Sequence, residues 1–555
     1  MNSEHAEQFD RLVESYYQAW FRYHPEAAVD AGVAGFESRL RPYHDDDIGA
    51  LTALNEKLLS GLDEIDPERL DDDRALDLQV LRGAALIEHH ELLEFDWRRR
   101  DPAAFLPFHA IYQLTVRPVA DLRTALKSRL RAIPTYLRGA RAQLTTLPEL
   151  IPAHWLESAV VEAEAGAGFL QRLHSHPKLV QGGALGELRR LQEAAVRAVL
   201  DYARFLESEL AARAAGDFAV GRSHFERLLH HRHFLPVDAD ALYGFGERLF
   251  AETHRQLEAV TRTLRGDGNV AAMTEALRAE HPAADQLIET YRERMRAARD
   301  YLAHHDIVTL PEGERLSVVE TPEFLRHQIP FAAYLDPAPN DPQQQGYYYV
   351  TPATSEELLG EHHSAGIANT CVHEAWPGHH LQFVVANKNP VSRTLPRLLN
   401  PSATLYEGWA LYCEQMMQEE GFLDRPEHRF ILLRDRLWRA LRVMIDVEIQ
   451  TRGAGLDRAA DRLVEALGFP REQAMADLNW YSHAPTVPSG YATGWALITA
   501  LRRYLQARDP EFELRPFHDR LLGAGSVGLP LVIQRQFGRS AWEAVRGVVG
   551  GENSA

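Results

Sequence analysis

Four ionisable residues fall within the eight positions of one segment, HEAWPGHH at 373–380. In the familiar zinc-binding pattern H-E-x-x-H, the two histidines lie about 6 Å apart along one face of a helix, and the glutamate activates a water. This chain has the first histidine and the glutamate of that pattern, but proline at position 377. The segment therefore predicts hydrolytic metal chemistry, with His373 as a ligand and Glu374 as general base.

The proline decides where the second ligand can come from. Pro377 has no amide hydrogen for the carbonyl of His373 and, with the glycine after it, should break or bulge the helix. On an ideal helix His379 would lie about 240° from His373, whereas His380 would be in line with it but about 10 Å along the axis. A bulge at 376–378 that absorbs two residues would return His379 to the ligand position. We expect His379 as the second ligand, with His380 as the alternative.

A second acidic segment follows in PSATLYEGWALYCEQMMQEE at 401–420. A helix there would place Glu407 and Glu414 on one side. The neighbours of Glu407 are mostly apolar, and a carboxylate in such surroundings needs a metal or a cation. Glu407 is therefore the predicted third ligand. Glu414 is as consistent with a solvated helix residue as with a hydrogen bond to a metal-bound histidine.

The elements that must position these residues are predicted to be mostly helices. Apolar residues recur at three- and four-residue spacing, for example Leu188, Leu191, Ala195 and Tyr202. Two short runs rich in β-branched and aromatic residues, LSVVETPEF at 316–324 and QGYYYVTPA at 345–353, predict a small sheet just before the metal motif.

The fold class expected from these patterns is mainly α, a large helical assembly with a small β-sheet next to the metal-binding helix. The sequence has no repeat at a fixed period and no obvious interdomain linker. We divide it into an N-terminal helical region, 1–315, and a catalytic region, 316–555, that together form one composite catalytic unit.

Composition limits the partners. The 555 residues carry a formal net charge of -19, from 79 acidic and 60 basic side chains, so the average field repels nucleic acid and anionic membranes. Neither is an expected partner. The two cysteines, Cys371 and Cys413, suit a reducing compartment. An acidic N-terminus and the lack of an apolar run of 18 residues favour a cytoplasmic location, and the oligomeric state stays open.

The segments HEAWPGHHLQ at 373–382 and LYEGWALYCEQM at 405–416 resemble the bacterial family called domain of unknown function 885. Members of that family look like gluzincin metallopeptidases and are similar to thimet-type oligopeptidases. The likeness extends from PEAAVDAGVAGFESRL near the N-terminus to FELRPFHDRLLGAGSVGLPL near the C-terminus. It implies a helical fold with a deep cleft and one zinc ion per chain. The implied ligands are His373, His379 and Glu407.

The resemblance also implies where substrate would lie. An edge strand beside the metal-bearing helix would place Tyr347, Tyr348 and Tyr349 along the cleft. Tyr491, in SGYATG, matches a tyrosine of the family that would donate its hydroxyl to the oxyanion. A buried core aromatic is an equally good interpretation of Tyr491.

Three more residues are candidates for contact with substrate. His483, in NWYSHAP, would help to stabilise the same oxyanion. Arg439 and Arg442, in LWRALRVMID, would meet a substrate carboxylate or serve as structural salt-bridge partners, and we favour the structural role.

The sequence departs from the resembled family at two places. The family often shows P-G-Q before the tyrosine, whereas this chain has Pro485, Thr486 and Val487. Relatives commonly carry a glycine and a histidine where this chain has Glu448 and Gln450. A substrate contact and a histidine role in transition-state binding would then be missing, although the predicted ligands are intact.

The predicted function is zinc-dependent hydrolysis of peptide bonds in small peptides. One alternative is an amidohydrolase acting on a peptide-like specialised metabolite, and a second is a noncatalytic peptide-binding relative. A third is a helical scaffold with incidental histidines, because the chain has other adjacent histidine pairs, such as His89 and His90. The presence of a ligand set together with a general base favours the enzyme.

Overall fold

Helices make up most of the chain, as the apolar spacing predicts. The structure, a computed structural model, describes residues 2–180, 186–322, 325, 326, 329 and 331–551. The helix at Gly186–Phe205 shows why the periodicity works, because Leu188, Ala195 and Tyr202 lie on its buried face. The mainly α fold class is confirmed.

The first part of the chain, before the sheet, contains fourteen α-helices within the described residues. They are α1 (Asn2–Trp20), α2 (Pro25–Asp30), α3 (Asp45–Asp63), α4 (Asp72–Glu94), α5 (Trp97–Arg100), α6 (Phe108–Val116), α7 (Leu122–Thr146), α8 (Ala153–Arg172), α9 (Pro177–Val180), α10 (Gly186–Phe205), α11 (Gly221–His231), α12 (Ala239–Arg265), α13 (Val270–Arg278) and α14 (Leu287–His305).

A three-stranded sheet follows, made of β1 (Arg315–Glu320), β2 (Ala332–Leu335) and β3 (Gln345–Val350). The central strand β3 pairs in parallel with β1 and antiparallel with β2. The predicted small sheet is confirmed, and β2 is an addition because its four residues are too short a run to identify in the sequence. Residues 323 and 324 of the first predicted run lie outside the described residues.

The last part of the chain carries the metal motif and returns to helices. These are α15 (Glu356–Gly360), α16 (Ser364–Glu374), α17 (His379–Lys388), α18 (Leu395–Leu399), α19 (Ala403–Glu419), α20 (Pro426–Thr451), α21 (Leu456–Leu467), α22 (Arg471–His483), α23 (Val487–Gln506), α24 (Leu514–Leu522), α25 (Leu529–Phe537), α26 (Arg539–Val545) and α27 (Gly547–Gly550).

One apolar core joins the helices of the motif to earlier and later helices. It contains Leu76 of α4, Met295 of α14, Cys371 of α16, Trp409 of α19 and Val532 of α25. The helices of the motif therefore pack into a rigid, closely packed core. The boundary between residues 315 and 316 stays a prediction.

Two further features bear on where the protein works. Cys371 and Cys413 are buried and unpaired. None of the helices in the described ranges combines the length and the apolar character that crossing a membrane requires.

Candidate metal centre

The metal motif is divided between two helices. Helix α16 ends at Glu374 and α17 begins at His379, with a cis peptide bond before Pro377 between them. The Gly378 amide turns back and donates to the carbonyl of Val372 at 3.0 Å. A Cβ atom on Gly378 would collide with the carbonyl oxygen of His373, so only glycine fits there. A helix break therefore replaces the expected bulge.

The break brings His379 beside His373, and α19 supplies the carboxylate. Glu407 Oε2 lies 3.5 Å from His373 Nε2 and 3.3 Å from His379 Nε2. One ligand atom from each of the three residues lies within 4.8 Å of the others. Two donors about 2.1 Å from a tetrahedral zinc ion lie about 3.4 Å apart. The spacing of this trio, hereafter the metal cluster, thus fits a zinc ion.

Unpaired polar atoms give an independent test of that fit. Glu407 Oε2 and His379 Nδ1 are both buried without a hydrogen-bond partner among the described residues. The imidazole nitrogens approach Glu407 Oε2 closely but not in the direction of a hydrogen bond. Burying an unpaired carboxylate oxygen is unfavourable, and a bound cation would remove that cost. The donor set is therefore suited to a metal ion.

Glu414 holds the first ligand in place. Its Oε1 accepts a hydrogen bond from His373 Nδ1 at 2.7 Å, and its residue is only 2% exposed. This pairing leaves His373 Nε2 directed at Glu407, the arrangement by which carboxylates commonly orient metal-binding histidines. Glu414 is therefore not a solvated helix residue but a hydrogen-bond partner of His373, a candidate ligand.

Charges within and beside the metal cluster shift the pKa values of His373 and Glu407 in the direction opposite to the effect of burial. Burial alone would lower the pKa of His373, but the nearby carboxylates of Glu407 and Glu414 raise it to about 10. Burial alone would raise the pKa of Glu407, but the nearby imidazoles of His379 and His373 hold it well below its usual range. A zinc ion binds neutral imidazole, so it would replace the proton on His373.

Glu374, the expected general base, is the last residue of α16 and half-buried. Burial raises the pKa values of Tyr334 and Tyr348, and the negative charge of Glu374 adds to both rises. The same charge favours the protonated form of His373. The carboxylate of Glu374 is therefore near both the metal cluster and the sheet.

Tyr491 reaches the metal cluster because α19 and α23 touch backbone to backbone. A Cβ atom on Gly408 would lie 2.5 Å from the Cα atom of Gly494, so glycine at both positions permits the contact. Burial and then the negative charge of Glu407 raise the pKa of Tyr491 well above its usual value. Tyr491 keeps its proton and can donate a hydrogen bond.

The two arginines of α20 lie against the ring of Tyr491. The guanidinium carbons are 5.3 Å (Arg439) and 4.7 Å (Arg442) from its centroid. Arg442 donates from Nε to the hydroxyl of Tyr481 at 2.7 Å and lies 4.0 Å from the carboxylate of Asp477. Arg439 Nε and Nη1 have no hydrogen-bond partner in the described part of the chain. The favoured salt-bridge role fits Arg442 in part and stays a prediction for Arg439.

His380 belongs to a different cluster. It is fully buried, its Nε2 donates to Glu314 at 2.9 Å, and its Nδ1 is 3.1 Å from the hydroxyl of Tyr334. Glu314 also accepts a hydrogen bond from Arg299 Nε at 2.8 Å. This group of four, the His380 cluster, leaves neither imidazole nitrogen of His380 free for a metal. The structure thus places His379, and not His380, among the candidate ligands.

The three tyrosines of β3, which the resemblance places along the cleft, do not share one face of the sheet. Tyr347 and Tyr349 stack with ring centroids 6.3 Å apart, and the hydroxyl of Tyr349 lies 3.1 Å from that of Tyr112. Tyr348 is 1% exposed and packs in the core against Tyr291. The physical reason is the two-residue repeat of a strand, which sends alternate side chains to opposite faces.

His483 is not brought to the metal cluster. Its ring stacks on Trp155 with centroids 4.2 Å apart, and its Nδ1 donates to the carbonyl of Asn479 at 2.8 Å. It lines a cavity of about 610 Å³ between N-terminal and C-terminal helices, which Arg232 also lines. Burial and Glu407 raise the pKa of Tyr406, and the charge of Arg232 opposes that rise. None of the described residues that line this cavity belongs to the metal cluster.

The two departures from the resembled family have local partners. Glu448 accepts a hydrogen bond from the hydroxyl of Tyr243 at 2.8 Å. Gln450 donates to the carbonyl of Tyr481 at 3.1 Å and accepts from the amide of Val220 at 3.2 Å. Val487 is the first residue of α23. Glu448 and Gln450 thus tie α20 to neighbouring elements.

A family model for a bacterial protein of unknown function, DUF885, matches residues 25–535. The chain belongs to the DUF885 family. The match covers both segments that carry the sequence resemblance and all three residues of the metal cluster. None of the curated proteins matches this DUF885 chain in sequence.

Solved structures show the same fold for this DUF885 protein. A protein from Shewanella oneidensis, provisionally described as a lipoprotein of unknown function, is 20% identical with a TM-score of 0.77, covering 95% of this chain and 99% of its own. A provisionally described lipoprotein from Colwellia psychrerythraea is 17% identical with a TM-score of 0.81, covering 96% and 98%. An M32 carboxypeptidase from Deinococcus radiodurans is 13% identical, covering 98% and 100%, and its TM-score of 0.39 is too low to bear on function.

Proposed function

We propose that this DUF885 protein is a zinc-dependent peptidase that hydrolyses amide bonds in small peptides. The observation that carries the proposal is the metal cluster, where three donors converge and the inner oxygen of Glu407 is buried and unpaired. Ion pairs that serve only stability complete their hydrogen bonds. A ligand set that leaves its central oxygen unpaired is better explained by a bound cation.

A zinc ion held by His373, His379 and Glu407 would supply Lewis acidity, lowering the pKa of a water and polarising a carbonyl. The residues of the chain provide the proton transfers and the orientation. Glu374 takes the proton from the attacking water and returns it to the leaving amine. Tyr491, which keeps its proton, donates a hydrogen bond to the developing oxyanion.

The size of the substrate is proposed from the cavity that His483 and Arg232 line. Its volume of about 610 Å³ lies within the range of roughly 300–1,000 Å³ that small-ligand pockets occupy. A short peptide fits such a space better than a folded protein does. We also place the reaction in the cytoplasm as part of this proposal, supported by two buried, unpaired cysteines. Subcellular fractionation would test the location.

Metal content is the first test. We expect about one zinc ion per chain in wild-type protein purified without chelators or added metal, measured by plasma mass spectrometry. Glu407→Ala should lose it. Glu419→Ala is the matched control, because Glu419 lies exposed on the same helix. Wild-type protein without stoichiometric metal would contradict the proposal and favour a scaffold or binding protein.

Turnover is the second test. Glu374→Gln should keep zinc but lose about a thousandfold in kcat on any peptide that the wild type hydrolyses, because general bases contribute about 10²–10⁴. Peptides and peptide-like amides would be screened together. Hydrolysis only of the latter would replace the peptidase with an amidohydrolase. Unchanged activity of Glu374→Gln would remove Glu374 from the mechanism.

A further inference from the structure

Arg439 is a buried cation without a complete set of partners. The residue is 9% exposed, and its Nε and Nη1 atoms form no hydrogen bond to any part of the chain that the structure describes. A buried guanidinium normally forms paired hydrogen bonds to a carboxylate, since desolvating the charge is costly. An anion that is not part of the chain would complete this group.

Arg442, one helical turn away on α20, repeats the pattern. It is 5% exposed, and its Nη1 is also unpaired within the described residues. Two acidic side chains are close, but neither accepts a hydrogen bond from the unpaired guanidinium nitrogens of the two arginines. Asp477 lies 4.0 Å from Arg442, and Asp435 instead accepts a hydrogen bond from Asn369 at 3.2 Å. Burial raises the pKa of both Asp477 and Asp435.

Aromatic rings fix the direction of both guanidinium groups. The centroid of the Trp438 ring lies 3.9 Å from the guanidinium carbon of Arg439 and 4.1 Å from that of Arg442. The ring of Tyr491 contacts both from another side. Arginine stacks on aromatic faces while its hydrogen-bond donors stay free at the edge. The donors are thus held in place in advance, as a binding site requires.

The position of these donors relates them to the reaction. Tyr491 lies against the arginines and is close enough to Glu407 for that carboxylate to raise its pKa. A carboxylate bound by the arginines would therefore lie on the side of Tyr491 where Arg439 and Arg442 contact its ring.

We propose that Arg439 and Arg442 form a carboxylate-binding site that holds the C-terminal carboxylate of a short peptide. The inference rests on the proposed peptidase function and adds a substrate class to it. The enzyme would release a short C-terminal fragment. A peptide whose C-terminus is blocked, or a long internal segment, would lack the anion that the arginines need.

The experiment compares the tripeptide glycyl-phenylalanyl-leucine with its C-terminal amide. Binding is measured by calorimetry to zinc-loaded Glu374→Gln, in which turnover does not interfere, and hydrolysis is measured with wild type. We expect the free acid to bind at least tenfold more tightly than the amide. Adding Arg439→Gln should reduce that ratio to below threefold. Arg436→Gln is the matched control, since Arg436 lies on the same helix and donates to Gln415 at 2.8 Å.

A third peptide, an amide with an internal glutamate, separates the two sources of a carboxylate. Tighter binding of this peptide than of the free acid would overturn the C-terminal assignment. Thermal melting gives a readout without peptide. Removing an uncompensated buried charge should leave the melting temperature of Arg439→Gln equal or higher, whereas loss of a structural ion pair would lower it.

The outcomes separate the two proposals. Hydrolysis of acid and amide at equal rates would overturn the carboxylate site and leave the peptidase. Preferential binding of the acid without hydrolysis of any peptide would leave the site and overturn the peptidase. Absence of both binding and hydrolysis would overturn both.

Discussion

Two buried clusters of histidine and glutamate begin at adjacent residues of α17, His379 and His380, and they differ in one respect. In the His380 cluster, Glu314 accepts hydrogen bonds from His380 and Arg299, and His380 is bonded on both ring nitrogens. In the metal cluster, Glu407 Oε2 and His379 Nδ1 have no partner among the described residues. In both clusters the histidine and glutamate side chains are at most 12% exposed.

Complete hydrogen bonding, rather than residue type, distinguishes a structural histidine from a candidate metal ligand. Consecutive residues of a helix point about 100° apart, so His379 and His380 face different surroundings. One faces Glu407 and His373, where a positive ion fits. The other faces a carboxylate that an arginine already neutralises. The following predictions test this difference.

The largest expected effect is on zinc affinity. If three ligands share about 12 kcal/mol of binding energy, His379→Ala should weaken zinc binding by about 4 kcal/mol, or about a thousandfold. His380→Ala should stay within about tenfold of wild type. Competition with a fluorescent zinc chelator measures both. A greater loss in His380→Ala would reverse the assignment of the two clusters.

The next effect is on stability. Glu314→Gln should lower the free energy of unfolding by about 3 kcal/mol at pH 7, because it leaves buried His380 without its carboxylate. Zinc affinity should not change. Chemical denaturation measures the loss, and Glu312→Gln, at an exposed neighbouring position, is the control. A loss of zinc without a loss of stability would assign Glu314 to the metal cluster.

The stability that Glu314 contributes should also depend on pH. Burial alone would raise its pKa, but hydrogen bonds from His380 and Arg299 lower it below the ordinary 4.5. A carboxyl group whose pKa is lowered on folding stabilises the protein above its unfolded pKa. The difference between wild type and Glu314→Gln should therefore be complete above pH 4.5 and shrink as the pH falls below it. A constant difference would contradict the ion-pair explanation.

A smaller effect tests the support of the metal cluster. Glu414→Gln should weaken zinc binding by about 10- to 100-fold, because the amide orients His373 less strongly than the carboxylate does. Glu419→Gln on the same helix is the control. Chelator competition is again the measurement, and an unchanged affinity would return Glu414 to a purely structural role.

The smallest effect concerns the residue that contacts both clusters. The hydroxyl oxygen of Tyr334 lies 3.1 Å from His380 Nδ1, and the centroid of its ring lies 6.4 Å from that of the His379 ring. Tyr334→Phe should lower the free energy of unfolding by about 1 kcal/mol, the value of one hydrogen bond, with zinc affinity unchanged. A fall in kcat of more than tenfold would instead place its hydroxyl in the reaction.

The sequence allowed the fold class and the candidate ligands to be predicted because both have local signals. Apolar residues at helical spacing predict helices such as α10, and an apolar environment around Glu407 indicates a carboxylate that needs a cation. The partners of His380 have no local signal, since Glu314 is 66 residues away in the chain and is joined to it only by the fold. Tyr348 could have been assigned to the face opposite Tyr347 from the two-residue repeat of a strand alone.

The unpaired donors of Arg439 were also beyond prediction from sequence. An arginine on a helix rich in charged residues is more often a salt-bridge partner, and only the three-dimensional arrangement shows that the nearby acids do not pair with it. The form of the helix break was likewise hidden. Proline and glycine indicate an interruption, but its geometry depends on how Gly378 packs on His373.

The contact between Gly408 and Gly494 limits how far two side chains can move relative to each other. These are Glu407, a candidate ligand, and Tyr491, a candidate proton donor. Glu407 and Tyr491 lie on helices whose main chains meet directly, so no repacking of side chains can change their separation gradually. Adding one methyl group at Gly494 would force the helices apart at a cost of about 1–3 kcal/mol. Attempts to engineer the candidate metal centre by directed evolution should therefore vary the side chains around it and leave this glycine pair untouched.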